Sequence, residues 1–507
     1  MNLRKPLLSL VALAVALRLA AAVQIDANQY LEDIKYLASE ELKGREDGTP
    51  ELDKAARYIA RQFRGFGLRP VGDGGQYFQP FQVNTSTRPG KANRFAYSEG
   101  PRRTSLTFDV EFRPLSLSAN GSASGQVVFA GYGITAPEYG YDDYSGLDVR
   151  NKLVLILRHE PQEFDEQSIF AGRIYTNHAQ VESKAVNAKS RGARAIVFVS
   201  DTPTHHNDSD DLEKLGRAVG PGNAGIPFVQ VKTQVADEWL RLAGRSLEEV
   251  VKGIDTDLRP RSFALPASLQ LDISVDLVRK SRAVSNVAGY LPGTSEEYVI
   301  VGAHYDHVGL GAQYSMEPSR KGTVHPGADD NASGTAGVIE LARWFAKQPK
   351  HRRGILFIAF AGEEFGLLGS NHFVEAPTLP LEKAVTMINL DMIGRLRDGK
   401  LYLGGVGSGS TFKPLIDDLN RDAKFDIDDA DADGYGSSDQ YSFTPKQIPT
   451  LFFFTGMHPD YHRPSDTWDK IDAPAAARLI EFIGHVTERL LDAPERPRFV
   501  KRLRQGP

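Results

Sequence analysis

The strongest constraint on the fold lies beyond Val284, where short apolar runs alternate with stretches of helical periodicity. Residues 298–303, 355–361, 384–390 and 450–454 are predominantly apolar and of strand length. A strand without a polar face must be covered on both sides, which a parallel sheet achieves by packing helices on each face. Residues 333–347 and 474–491, with apolar positions at helical spacing, supply such helices. The expected fold class is therefore α/β, a mostly parallel sheet with helices on both faces.

Upstream the texture differs. Residues 76–83 alternate polar and apolar like a half-buried strand, 127–133 and 152–157 are short apolar runs, and 183–190 reads as a helix leading through Gly192 into a buried strand at 195–199. Ahead of these, 30–42 and 52–63 read as two packed helices on either side of a turn at 44–50. A chain of 507 residues exceeds one compact core of ordinary size. The texture predicts an insertion: residues 23–104 open the main domain, 105–277 form a β-rich inserted domain, 278–492 complete the main domain, and 493–507 are a solvated basic tail. The helices before Phe63 are expected to pack on the main sheet.

Residues 1–22 join a basic start at Arg4 and Lys5 to an apolar run and then Ala20-Ala21-Ala22. This pattern predicts a secretory signal peptide, a mature chain starting near Val23, and a periplasmic or secreted protein. The run is short for a membrane span and Arg18 would interrupt one, so no membrane association is expected after cleavage. The chain has no cysteine, so any metal must be held by nitrogen and oxygen. A net charge of -5 gives no attraction to nucleic acid or anionic lipid. Oligomeric state is not legible.

Polar clusters fall where the apolar runs of the third region end: His304-Tyr305-Asp306, Glu363-Glu364 and Asp391. Open parallel sheets gather ligands outside the carboxyl ends of their strands. Singly, each cluster has an ordinary reading. A histidine beside a carboxylate is common, Asp329-Asp330-Asn331 could cap the helix that follows, Glu363-Glu364 could be solvated, and His462 could be a loop histidine. The adjacent carboxylates of Glu363-Glu364, after a wholly apolar run, are harder to dismiss, and an unpaired charge at Asp391, between Leu390 and Met392, would be costly to bury. Together they offer two imidazoles and three carboxylates, a set suited to a pair of zinc ions sharing a carboxylate, and the adjacent glutamates can supply one ligand and one base.

In five ordered blocks the sequence resembles the zinc peptidases of the bacterial leucyl aminopeptidase and glutamate carboxypeptidase type, with a protease-associated domain inserted. The blocks are residues 302–306, 327–334, 361–370, 389–394 and 461–467, and Leu42-Lys43-Gly44-Arg45 with residues 127–148 and 184–199 extends the likeness over nearly the whole mature chain. The resemblance implies two zinc ions per chain, one on His304 and Asp391, the other on Glu364 and His462, with Asp329 bridging. It implies Glu363 as general base, Asp306 orienting His304, Tyr461 donating to the developing oxyanion, and a cis peptide from Asp329 to Asp330. One departure is visible: the family often has Ser-Asp-His before a phenylalanine near the substrate, whereas Ser438-Asp439-Gln440 precedes Phe443 here.

The expected activity is an exported dinuclear zinc exopeptidase that removes N-terminal residues from peptides. Arg395 and Arg463, near the ligands in sequence, keep a carboxypeptidase open, since arginines suit a substrate carboxylate. A receptor-like, non-catalytic binding protein on the same scaffold is the reading from another class, though such a protein would be expected to have lost ligands. Asp429, Asp431, Asp433 and Gly434 match early positions of a calcium loop, but Gln440 stands where that loop needs a bidentate glutamate. The segment is read as a solvated acidic loop.

Overall fold

The computed structural model describes residues 24–165, 167–170, 176, 178–201, 210–217, 223–430 and 438–500. The signal peptide expected at 1–22, part of the acidic loop (Asp431, Asp433, Gly434) and the end of the basic tail lie outside the described residues.

The main sheet runs in the order Leu277–Leu291, Gly354–Phe360, Tyr298–His304, Ala384–Leu390, Thr450–Phe454 and Lys400–Gly404. Gly354–Phe360, Tyr298–His304, Ala384–Leu390 and Thr450–Phe454 pair in parallel, whereas Leu277–Leu291 and Lys400–Gly404 flank them antiparallel. The pleat sends alternate residues of the apolar runs to opposite faces. Val299, Val301, Ala303, Ile355, Phe357 and Ala359 join one core with the helices Gly334–Phe345 and Ala473–Asp492. Ile300, Leu356, Ile358 and Phe360 join a second with Phe373 and Val374 of the helix Leu368–Glu375. Two-sided burial is why these strands carry no polar stripe.

The N-terminal helices complete the first core. Ala27–Leu37 is capped by Asp26, whose carboxylate accepts from Asn28 N and Gln29 N, and Pro50–Gly65 starts with proline after the Thr49 cap. These are favourable starts, because the first turn of a helix leaves amides without intrahelical partners. Tyr30, Ile34, Leu52, Ile59 and Phe63 all bury against the main sheet's core, with Phe63 and Phe357 rings 6.5 Å apart.

A second sheet runs Arg102–Ser105, Arg94–Glu99, Leu269–Val275, Gly121–Phe129, Leu153–Leu157, Ala195–Val199, Phe228–Val231 and Phe112–Pro114. Both chain passages into it travel along one antiparallel ribbon of Phe78–Pro89 with Leu277–Leu291. The hairpin at Arg94–Ser105 already belongs to this second sheet, through pairing of Arg94–Glu99 with Leu269–Val275. Structurally the inserted unit thus starts before residue 105, because it is the far end of the ribbon and not the change in texture that separates the two sheets. No helix among the described residues is long and apolar enough to cross a membrane.

Candidate active site

The central parallel strands end nearly level, with His304 opposite Phe360, Gly302 opposite Asn389, and Leu390 opposite Phe453. The chain leaves the Tyr298–His304 strand to one neighbour and later returns to the other, so the loops beyond these ends diverge and leave a crevice of the kind that binds ligands.

Two groups of side chains face each other there. His304, Glu363 and Asp391 form one; His307, Asp330, Glu364 and His462 form the other. Asp330 joins them, one carboxylate oxygen 3.4 Å from His304 Nε2 and the other 3.1 Å from His462 Nε2. His304 Nε2 is also 3.5 Å from Asp391 and 3.9 Å from Glu363. Glu364 lies 2.9 Å from His462 Nε2 and 2.7 Å from His307 Nδ1.

The outer partners aim this set. His462 Nδ1 is 2.8 Å from the Tyr314 carbonyl and His304 Nδ1 is 3.3 Å from the Asp306 carbonyl, which leaves both Nε2 atoms turned toward the carboxylates. The Asp306 carboxylate accepts from the amides of Glu363 and Glu364, fixing the turn that carries both glutamates. Arg45, fully buried, donates to the carbonyls of Leu37, Tyr305, Pro326 and Gly327, tying the His304 loop to the Asp330 loop. Burial lowers its pKa to about 10, which still leaves it charged at neutral pH. Gly327 has φ +56°, and a Cβ there would stand 2.2 Å from the Asp330 carbonyl oxygen and 2.5 Å from the His307 ring. Only glycine fits such a left-handed, closely approached position.

Asp329, read from sequence as the bridge, is not in either group. Its carboxylate accepts from Gly394 N at 2.7 Å and lies 3.3 Å from His458 Nε2 and 3.9 Å from Arg395 Nε. The turn over Ala328–Ser333 sends consecutive carboxylates in opposite directions, Asp329 into the structure and Asp330 into the crevice. Asp466 holds that turn by accepting from the amides of both residues. The cis peptide falls correspondingly one bond later than expected, at Asp330–Asn331. His307, which the sequence reading passed over, belongs to the second group, and Asp439, noted there only within Ser438-Asp439-Gln440, is buried within electrostatic reach of His304 and Asp391. His307 had a usable signal, a second histidine one turn of loop beyond His304; Asp439 had none beyond its place in Ser438-Asp439-Gln440. Tyr461 stacks on the His462 ring with centroids 3.9 Å apart, and Gln440 accepts from Asn389 inside the structure.

The electrostatics are those of a site built for cations. Burial raises the pKa of Glu363, opposed by His304 and reinforced by the charges of Glu364 and Asp391. Burial acts the same way on Asp439, raising its pKa to about 7. Glu364 goes the other way: despite burial, His462 holds its pKa down to about 2. Burial would depress His304 and His462, but Glu363 and Asp391 raise the first and Glu364 and Asp330 the second. Buried carboxylates here outnumber the imidazoles, and an uncompensated buried charge is expensive. Beyond the close ion-pair approaches given above, His307 Nε2, Asp330 Oδ2, Asp391 Oδ1 and His462 Nε2 are buried with no hydrogen-bond partner among the described residues. Nitrogen and oxygen donors left open toward shared space fit divalent metal ions, and the His and carboxylate mix suits zinc.

A crevice at the carboxyl ends of a parallel sheet, lined with two facing groups of metal-type donors, defines a metallohydrolase class of site. Residues 286–487 match Peptidase family M28 and residues 123–239 match the PA domain. Residues 286–487 are thus an M28 peptidase domain, and a PA domain lies before them in the chain. Aminopeptidase YwaD of Bacillus subtilis is 24% identical over 417 residues, covering 79% of this chain and 76% of that protein. A probable leucine aminopeptidase of Arthroderma otae is 32% identical over 207 residues, but the match spans only 54% of its length. A probable lipoprotein aminopeptidase, LpqL, of Mycobacterium tuberculosis is 25% identical over 508 residues, covering 91% of this chain and 83% of that protein. In fold, the chain is similar to an aminopeptidase from Aneurinibacillus sp. strain AM-1, with a TM-score of 0.52 at 23% identity over 96% of this chain and 97% of that one.

Proposed function

We propose that this chain is an exported aminopeptidase that uses two zinc ions, one on His304 and Asp391, the other on Glu364 and His462, with Asp330 shared. The single observation carrying this is the position of Asp330 between the two histidines, 3.4 Å from one and 3.1 Å from the other. His307 supports the second group, 2.7 Å from Glu364. Zinc held there would supply Lewis acidity and lower the pKa of a shared water.

The protein's own groups do the rest. Glu363 stands beside His304 and Asp391, 3.9 Å from His304 Nε2, where it accepts the proton of the attacking water and returns it to the departing amine. Tyr461, packed on His462, donates to the oxygen that gains negative charge. Asp306 keeps the two glutamates in register through their amides.

Amino-terminal specificity is supported by the names of the relatives and by the fate of Arg395. That guanidinium is committed to Asp460 at 2.7 Å and to Asp466, so it does not offer a fork to a substrate carboxylate. An acidic crevice suits a substrate ammonium instead. Export is supported by the signal-type segment at 1–22 and by the word lipoprotein in the name of one relative.

The test is hydrolysis of aminoacyl substrates with a free or blocked amino group, before and after chelation, followed by zinc back-titration. Cleavage of only the free form, lost on chelation and restored at two equivalents of zinc, is the expected result. Equal cleavage of the blocked form, or activity indifferent to chelator, would defeat the proposal.

A further inference from the structure

We propose that the inserted domain takes part in building the metal centre through Arg217, a positioning residue; this rests on the zinc reading above. Arg217 lies on a segment that belongs to the inserted unit. Gly216 N donates to Ser116 Oγ at 2.9 Å, Glu213 N donates to Gln230, and Arg113 donates to the carbonyls of Leu212 and Glu213. Its side chain nevertheless points into the peptidase part. Nε donates to the Asn84 carbonyl at 3.1 Å, and one terminal nitrogen donates to Glu46 Oε1 at 2.9 Å and to the Asp47 carbonyl at 3.0 Å.

Arg217 is only 6% exposed, so this is not a surface ion pair of negligible worth. Its guanidinium lies over the ring of Phe365, 3.6 Å from the centroid. Phe365 directly follows Glu363 and Glu364 and is itself buried. A second line leads to His462. Arg217 N donates to the Gln313 side chain at 3.0 Å, the neighbouring Tyr314 ring meets Phe365 edge-on at 5.4 Å, and the Tyr314 carbonyl partners His462 Nδ1. One arginine from the inserted domain therefore braces both the turn that carries the glutamates and the loop that orients His462.

The ligand pair affected is Glu364 with His462, the two that meet at 2.9 Å. Groups that orient metal ligands without touching the metal typically contribute about 10- to 100-fold in affinity or activity. Truncating Arg217 is therefore expected to loosen one zinc site and leave the other intact, and to lower turnover more than substrate affinity.

The experiment uses the full-length protein loaded with zinc. Arg217→Ala, Arg217→Lys and Phe365→Leu are compared with Arg103→Ala, an exposed inserted-domain arginine paired with Asp272. Zinc release into excess chelator and steady-state kinetics are measured, with circular dichroism to establish folding. For Arg217→Ala one ion should leave about 10-fold faster, kcat should fall about 10- to 100-fold, and KM should stay within about threefold. Arg217→Lys keeps the charge but not the fork or the flat stacking surface, so it should fall between. Arg103→Ala should match wild type. A folded Arg217→Ala with wild-type zinc release and kcat overturns the inference. If that variant does not fold, unchanged release in both Arg217→Lys and Phe365→Leu overturns it. A wild-type chain that binds no zinc would instead overturn the functional reading, and this inference with it.

Discussion

Replacing each of two adjacent aspartates by asparagine separates a metal bridge from a structural charge. Asp330 is the carboxylate shared by the two donor groups, lying between His304 and His462. Asp330→Asn removes a negative charge from between two proposed cations. Losing a ligand should exceed the roughly 10- to 100-fold cost of losing a ligand's support, so at least one zinc should be weakened more than about 100-fold. In the metal-free protein, although burial opposes it, His304 and His462 hold the Asp330 carboxyl below the usual carboxylate range, so Asp330→Asn should cost some stability there too, but its main effect should fall on metal binding. Asp329→Asn should do the reverse. Its carboxylate stands 3.9 Å from Arg395 Nε. Two charges about 4 Å apart interact by ~4 kcal/mol at an effective dielectric near 20. Arg395 keeps Asp460 and Asp466, and the amide oxygen can still accept from Gly394 N, so a net loss of about 1–3 kcal/mol is expected. Metal analysis after gel filtration and thermal melts of the metal-free proteins read both effects. An Asp329→Asn protein stripped of metal beside an Asp330→Asn protein that holds two ions would refute the assignment.

Further outcomes follow from the same geometry. Glu363→Gln should lower kcat by about 10² to 10⁴ while zinc content stays near two per chain, whereas Glu364→Gln should lose both activity and one ion, as measured by kinetics with metal analysis. Arg45→Lys cannot reach all four of the carbonyls that Arg45 satisfies; with buried acceptors stranded at about 1–3 kcal/mol each, urea melts should show a loss of several kcal/mol and chelator competition a weaker site. Burial raises Glu340 to about 8 from its usual 4.5, opposed by Arg343 and reinforced by Asp33. Because the folded form holds that proton more tightly, its contribution to stability is complete below the unfolded pKa and is lost as pH rises through about 8. Glu340→Gln should accordingly flatten the decline in stability between those limits, seen in urea melts across pH; an unchanged slope would remove Glu340 as its cause.

Much of the peptidase sheet could be read from sequence because its physics is local. Two-sided burial leaves strands such as Tyr298–His304 and Gly354–Phe360 without a polar face, and a charged residue directly after such a run, as at His304, Glu363 or Asp391, has few places to be except the sheet's carboxyl edge. Distant positions were less accessible. That Asp330 and not Asp329 faces the histidines depends on a turn held by Asp466, more than a hundred residues away in sequence. Adjacent aspartates look alike in a sequence, and only the turn decides which enters the crevice. The Arg94–Ser105 hairpin joins the second sheet by pairing with Leu269–Val275, a register that neither segment encodes alone. Likewise, nothing around Arg217 in sequence marks it as a neighbour of Glu363 and Glu364. Its position over Phe365 comes from packing the inserted unit against the peptidase sheet, so the sequence determined which strands end in charge while tertiary contacts decided which charges meet.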